Sequence, residues 1–170
     1  MATEFSQVAR PVSAEAGGLC DRLIQVLGSE GVISDPASRQ FYSTDLSWRD
    51  RAIADIVIRP TEVAQLAEAV RMATEAGYAI VQRGGGMSYT GGYTPSTEKS
   101  VVVDMRAMNR VVEINTDDMY VIVEAGCTWK DLYEALAPHG VRTPYWGPLS
   151  GAYATVGGAL SQNSLFHGSG

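Results

Sequence analysis

Apolar residues recur at helical spacing at Leu19, Leu23, Val26 and Leu27, and Gly28 follows where a left-handed cap belongs. The spacing predicts a short amphipathic helix packed on a core. Residues 1–15 carry Pro11 and small polar residues without such a period, so a loosely held arm is expected there. Between Gly31 and Ala54 the pattern weakens into a polar connection that includes Ser34-Asp35-Pro36 and the aromatics Tyr42 and Trp48. That segment reads either as a strap whose aromatics pack on the core or as a ligand-contacting loop.

The next stretch has a firmer pattern. Ile56-Val57-Ile58 is a short apolar run, and Val63, Leu66, Ala67, Val70 and Ala73 then repeat at helical spacing, with Thr61 as candidate N-cap and Gly77 as the stop. Ala79-Ile80-Val81-Gln82 follows as a buried strand, giving a β-α-β unit. Three further strands are predicted at 101–104, 110–114 and 120–124, the last two joined by the turn-forming Asn115-Thr116-Asp117-Asp118. Thr128 and Asp131 form a capping-box signature, with Trp129, Leu132, Tyr133 and Leu136 as the buried stripe of the helix they open. Pro138-His139-Gly140 ends that helix, and His139 is expected to face water. The loop from Val141 to Tyr153 leads to Thr155-Val156-Gly157-Gly158, where a short helix should start and offer free N–H groups as an anion seat.

These elements predict an α+β architecture. The β-α-β unit falls in a small lobe at about 54–100, and mostly antiparallel strands from Val101 onward form a second lobe at about 101–170. A ligand would lie in the crevice between them.

Composition narrows the partners. Of 170 residues 45% are apolar, enough for a well-buried core, and 13 basic against 19 acidic residues give a net charge of -6. That balance argues against nucleic acid or an anionic membrane as the main partner, so any phosphate must be held by local geometry. No apolar run approaches the roughly 20 residues that span a bilayer, and the N-terminus lacks the order of a secretory signal, so a cytoplasmic protein is expected. Cys20 and Cys127 are too few and too distant for a metal cluster and read as reduced structural thiols.

Candidate chemistry concentrates in Arg83-Gly84-Gly85-Gly86-Met87-Ser88, with Gly91 and Gly92 beyond it. Consecutive glycines after a strand let the backbone adopt positive φ and leave N–H groups uncovered, which suits a pyrophosphate; a plain surface turn has the same composition. Arg83 adds a fixed positive charge and Ser88 a hydroxyl. The loop does not open a helix, which disfavours a nicotinamide-type dinucleotide fold.

Five segments, taken in order, resemble the flavin-binding (PCMH-type) domain of the FAD-linked oxidases, the vanillyl-alcohol-oxidase-like superfamily that includes D-lactate dehydrogenases and the glycolate oxidase flavin subunit. They are Arg59-Pro60-Thr61-Glu62-Val63, Arg83 to Ser88, Val103 to Asn109, Glu124 to Trp129, and Ala154 to Gly158. The resemblance implies that Gly84, Gly85, Gly86, Met87, Ser88, Gly91 and Gly92 contact the diphosphate of FAD. It implies that Pro148, Thr155, Gly157 and Gly158 line the ribityl chain and ring, with Ser161 and Asn163 nearby. Some members attach FAD covalently through a histidine where Met87 stands here, and through a cysteine in a region that holds none here, so noncovalent binding is expected.

The expected function is the FAD-binding part of an oxidoreductase that takes a hydride from a 2-hydroxy acid such as D-lactate or glycolate. Members continue into a substrate-binding cap domain, so the chain is expected to be the N-terminal portion of the fold, inactive alone, and no catalytic residue is assigned. The electron acceptor stays open. The competing reading is a non-catalytic nucleotide-binding or assembly module.

Overall fold

The computed structural model describes residues 11–46, 52–144 and 151–162. Helix α1 (Ala14–Leu27) begins where Ser13 Oγ accepts from the Ala16 amide at 3.2 Å, and it buries Ala16, Leu19, Cys20 and Leu23. Ala14 and Glu15 therefore belong to a helix and not to the expected arm, whose residues 1–10 lie outside the described ones. Gly28 closes α1 at φ 75° and ψ 166°, an extended positive-φ residue in place of the anticipated left-handed helical one.

The segment anticipated as a polar connection holds a short strand, β1 (Val32–Ile33), and a helix, α2 (Pro36–Tyr42). The start signal of α2 is compact: Asp35 Oδ1 accepts from the Ser38 amide at 2.9 Å, and Pro36 sits in the first turn, where no N–H is needed. Tyr42 is buried, as in the strap reading; Trp48 lies outside the described residues.

Strand β2 (Ile56–Ile58), helix α3 (Val63–Glu75) and strand β3 (Ala79–Arg83) form the β-α-β unit. The N-cap position falls on Glu62, while Thr61 N and Oγ1 both donate to Gln65 Oε1, at 3.1 and 3.0 Å. Strand β4 (Ser100–Asp104) then inserts between β2 and β3, parallel to both, so the sheet runs β1-β2-β4-β3. This corrects the expectation that the 101–104 strand opens an antiparallel second sheet. All five β4 residues are buried, as a central parallel strand covered on both faces requires. Ile56, Ile58, Val101 and Val103 face α1 and α3, while Val57 and Val102 pack with Tyr42 and Ala54 on the other side.

Strands β5 (Val111–Asn115) and β6 (Tyr120–Val123) form the expected antiparallel hairpin, its turn fixed by Asn115 Oδ1 accepting from Asp117 N and Asp118 N at 3.1 and 2.8 Å. Helix α4 (Trp129–Leu136) is capped by Thr128, whose Oγ1 accepts from Asp131 N at 3.0 Å. It buries Trp129, Leu132 and Leu136, but Tyr133 is 47% exposed and leaves the predicted stripe. The helix ends at Gly140, which is left-handed, and His139 is exposed.

Helix α5 (Val156–Ser161) packs Ala159 into a second cluster with Cys127, Trp129, Leu132, Leu136 and Ala154. Cys20 and Cys127 are free and buried, and burial pushes the Cys127 thiol up to about 11, so it is protonated at neutral pH. Among the described residues no helix is long and apolar enough to cross a membrane. The fold is α+β, and the segments that follow β3 and β4 touch the second half of the chain, Gly84 against Thr155 and Met105 against Gly126.

Candidate cofactor loop and its supports

Parallel strands deliver ligands to their carboxyl ends, and here β2, β4 and β3 end at or beside Arg59, Asp104 and Arg83. Asp104 is fully buried. Its Oδ1 accepts from Arg106 N at 3.2 Å and Nε at 2.9 Å, and its Oδ2 from Arg59 Nε and Arg106 Nη2, both at 2.9 Å. Burial alone raises this carboxyl, but the hydrogen bonds and charge of Arg106, with Arg59, outweigh it and hold the group below the usual aspartate range. Tyr42 Oη accepts from Arg106 Nη2 at 2.7 Å and from Arg59 Nη2, which ties α2 to the same strand ends.

Arg83, the last residue of β3, is 4% exposed, and its guanidinium lies 5.2 Å from each of the ring centroids of Phe41, Tyr42 and Tyr93. Its charge is thus underneath the glycine loop, not on the loop's outer surface. The backbone turns over it at Gly86, where a φ of 72° favours glycine and an added Cβ would stand 2.2 Å from Arg83 Nη2.

Inward-facing contacts hold the loop carbonyls. Tyr93 Oη donates to Gly86 O at 2.7 Å and lies 3.2 Å from Ser88 O, which also accepts from Leu46 N at 3.1 Å. Gly91 N donates to Asp45 Oδ2 at 2.7 Å, and Ser88 Oγ pairs with Thr90 Oγ1 at 2.9 Å. By contrast, among the described residues no acceptor meets the backbone N–H groups of 84–88.

The two glycine segments touch. A Cβ on Gly84 would stand 2.3 Å from Thr155 Oγ1, and one on Gly85 only 1.7 Å from Tyr153 O, so bare backbone is what lets the first loop seat on the second. Gly157 lies against Ala125 in the same way but less tightly, its added Cβ falling 2.7 Å from Ala125 O.

The second segment does not offer the free N–H groups expected of it. Val156 N donates to Cys127 O at 2.8 Å, Gly157 N to Ala125 O at 3.1 Å and Gly158 N to Thr155 Oγ1 at 3.1 Å. A bridge between Thr128 and Thr155 stitches the segment to the start of α4, which is why its donors are spent. It serves as a wall behind Gly84 and Gly85.

The remaining predicted residues spread around this contact. Met87 is half-buried against the second cluster, Gly92 is exposed near Gln162, and Gly158 and Ser161 are exposed, with Ser161 Oγ donating to Gly157 O at 2.8 Å. Pro148 and Asn163 lie outside the described residues. The sequence reading missed Asp45, Tyr93 and Asp104, and it singled out Tyr42 only as a core-packing or ligand-contacting aromatic, not as a hydrogen-bond partner of Arg59 and Arg106. The signal for Asp104 was available, as a lone carboxylate closing the apolar run Val101-Val102-Val103 two residues before Arg106.

A family model described as the FAD binding domain matches residues 54–170. The chain belongs to that family. It is 31% identical to the glycolate oxidase subunit GlcD of Bacillus subtilis over 85% of its own length and 30% of that protein. It is 33% identical to the D-2-hydroxyglutarate dehydrogenase of Pantoea ananatis, over 94% of this chain and 16% of the other. The solved structure of an alkyldihydroxyacetonephosphate synthase superposes with a TM-score of 0.81 at 22% identity, covering 95% of this chain and 31% of that one, and so shares the fold. The chain therefore spans about a third or less of the length of these proteins. It is a PCMH-type FAD-binding domain of the FAD-linked oxidoreductases, with FAD as cofactor. The loop fits that group: among the described residues five amides in a row meet no acceptor, three of the residues carry no side chain, and a buried guanidinium lies behind them.

Proposed function

We propose that this chain is the FAD-binding part of a flavoprotein that oxidises a 2-hydroxy acid of the D-lactate or glycolate type, removing a hydride from the α-carbon. The observation that carries the cofactor half of this reading is the seating of Gly84 and Gly85 on Tyr153 and Thr155, which leaves the 84–88 amides open to a diphosphate. The relatives named for glycolate and D-2-hydroxyglutarate support the substrate half. When bound, FAD supplies the redox chemistry.

The chain's own part is to bind and orient. The amides of Gly84, Gly85, Gly86, Met87 and Ser88 hold the diphosphate, with Gly91 and Gly92 extending the backbone surface. Gly157, Gly158 and Ser161 border the same junction and line the remainder of the cofactor. The Met87 thioether offers no nucleophile for a histidyl-type bond, so attachment is noncovalent. No residue here is assigned to the substrate, whose binding is placed in a cap domain.

Titration of the purified chain with FAD, followed by flavin absorbance and fluorescence, tests the cofactor reading. Saturable binding that is released on denaturation is expected, and a preparation that never takes up flavin refutes it. Reduction of the bound flavin by D-lactate, glycolate and D-2-hydroxyglutarate in a protein that includes a cap domain tests the substrate class. The reading fails if alcohols without a carboxylate reduce it equally well.

A further inference from the structure

Asp104 spends its oxygens on Arg59 and Arg106, and no carboxylate among the described residues pairs with Arg83. The Arg83 guanidinium is nonetheless almost fully desolvated, and among the described residues its Nε meets no acceptor. Its cross-strand neighbour Asp104 attracts it without bonding it, and Arg106 repels it. A buried charge with no ion pair of its own is destabilising unless something else uses it, and aromatic faces offset only part of that. Burial lowers the Arg83 pKa, although arginine stays protonated at neutral pH.

Position supplies the use. The guanidinium fills the space behind Gly86, so a single layer of backbone separates it from the outer face of the loop. The Tyr93 ring stacks on that guanidinium, and its hydroxyl donates to the Gly86 carbonyl, holding the carbonyl on the protein side. Phe41 and Tyr42 complete the cage from α2.

We infer that Arg83 and Tyr93 form a positioning device beneath the glycine loop. Arg83 acts through the backbone as a fixed, water-shielded cation for the cofactor diphosphate, and Tyr93 sets the carbonyl orientation that keeps the loop amides free. This rests on the FAD reading above. It separates these residues from those that touch the cofactor, and it gives the charge, not merely the bulk, of Arg83 a task.

The test compares FAD with riboflavin, which has the ring and ribityl chain but no phosphate, in wild type, Arg83→Met, Arg83→Lys and Tyr93→Phe. Affinities come from fluorescence titration and folding from circular dichroism. Arg83→Met is expected to weaken FAD by roughly tenfold or more while moving riboflavin by less than about twofold, since a unit charge in a partly dry site contributes on that scale. Arg83→Lys recovers most of the difference, and Tyr93→Phe lowers the FAD-to-riboflavin preference by about threefold, as loss of one positioning hydrogen bond should.

Equal losses for both ligands in Arg83→Met, or a lysine variant as poor as the methionine one, would overturn the inference. Should Arg83→Met not fold, Tyr93→Phe decides, because it keeps the cage intact; an unchanged preference there sinks the idea. Failure of the wild type to bind FAD overturns the cofactor reading itself, which is a different result from binding without discrimination.

Discussion

A Cβ on Gly85 would stand 1.7 Å from the Tyr153 carbonyl oxygen, and backbone of that kind cannot rotate away as a side chain can. Gly85→Ala is therefore expected to push the first loop off the second, destabilising the fold by about 1–3 kcal/mol and lowering FAD affinity. Urea unfolding and flavin titration of the same variant check both. Asp104 makes the complementary case. Its depressed pKa means that it stabilises the fold above the ordinary aspartate value of 3.8 and that this contribution is lost as pH falls through the lower folded value. Asp104→Asn should cost about 2 kcal/mol or more near neutrality and flatten the fall of stability with acid below about pH 4, as measured by denaturant melts across that range.

Among the elements, those with an unambiguous period were legible from the residues alone: α1, the β-α-β unit, the β5–β6 hairpin and the Thr128-capped helix. Thr128→Ala should remove about 1 kcal/mol of stability by releasing the Asp131 amide, a loss readable in thermal or urea melts. Helix α2 was hidden because only seven residues carry it and its signal is the Asp35-Pro36 start, not a hydrophobic stripe. The place of β4 was hidden for another reason. Its apolar run fits any fully buried strand, and nothing local says that it must lie between two strands that precede it. The glycine loops were legible as bare backbone, but their division of labour was not. Whether an amide is free depends on where Ala125 and Cys127 place their carbonyls, which is a tertiary matter.

At the scale of the whole molecule, a net charge of -6 opposes an anionic ligand, so on the proposed reading a diphosphate depends on local donors and a local cation. Because Arg83 is buried, ionic screening should reach it poorly. FAD affinity is expected to fall by less than about threefold between roughly 0.05 and 0.5 M salt, against the steeper loss that surface arginines would show; titration at both salts checks this.

The insertion of β4 between β2 and β3 also orders events during synthesis. In the finished sheet β2 and β3 lie two strand spacings apart, roughly 9–10 Å, and β4 alone joins them, so neither ladder can close before residues 100–104 are available. A chain ending before Ser100 holds the residues of the glycine loop but neither the strand that anchors Arg83 nor the Tyr153-Thr155 segment on which the loop rests.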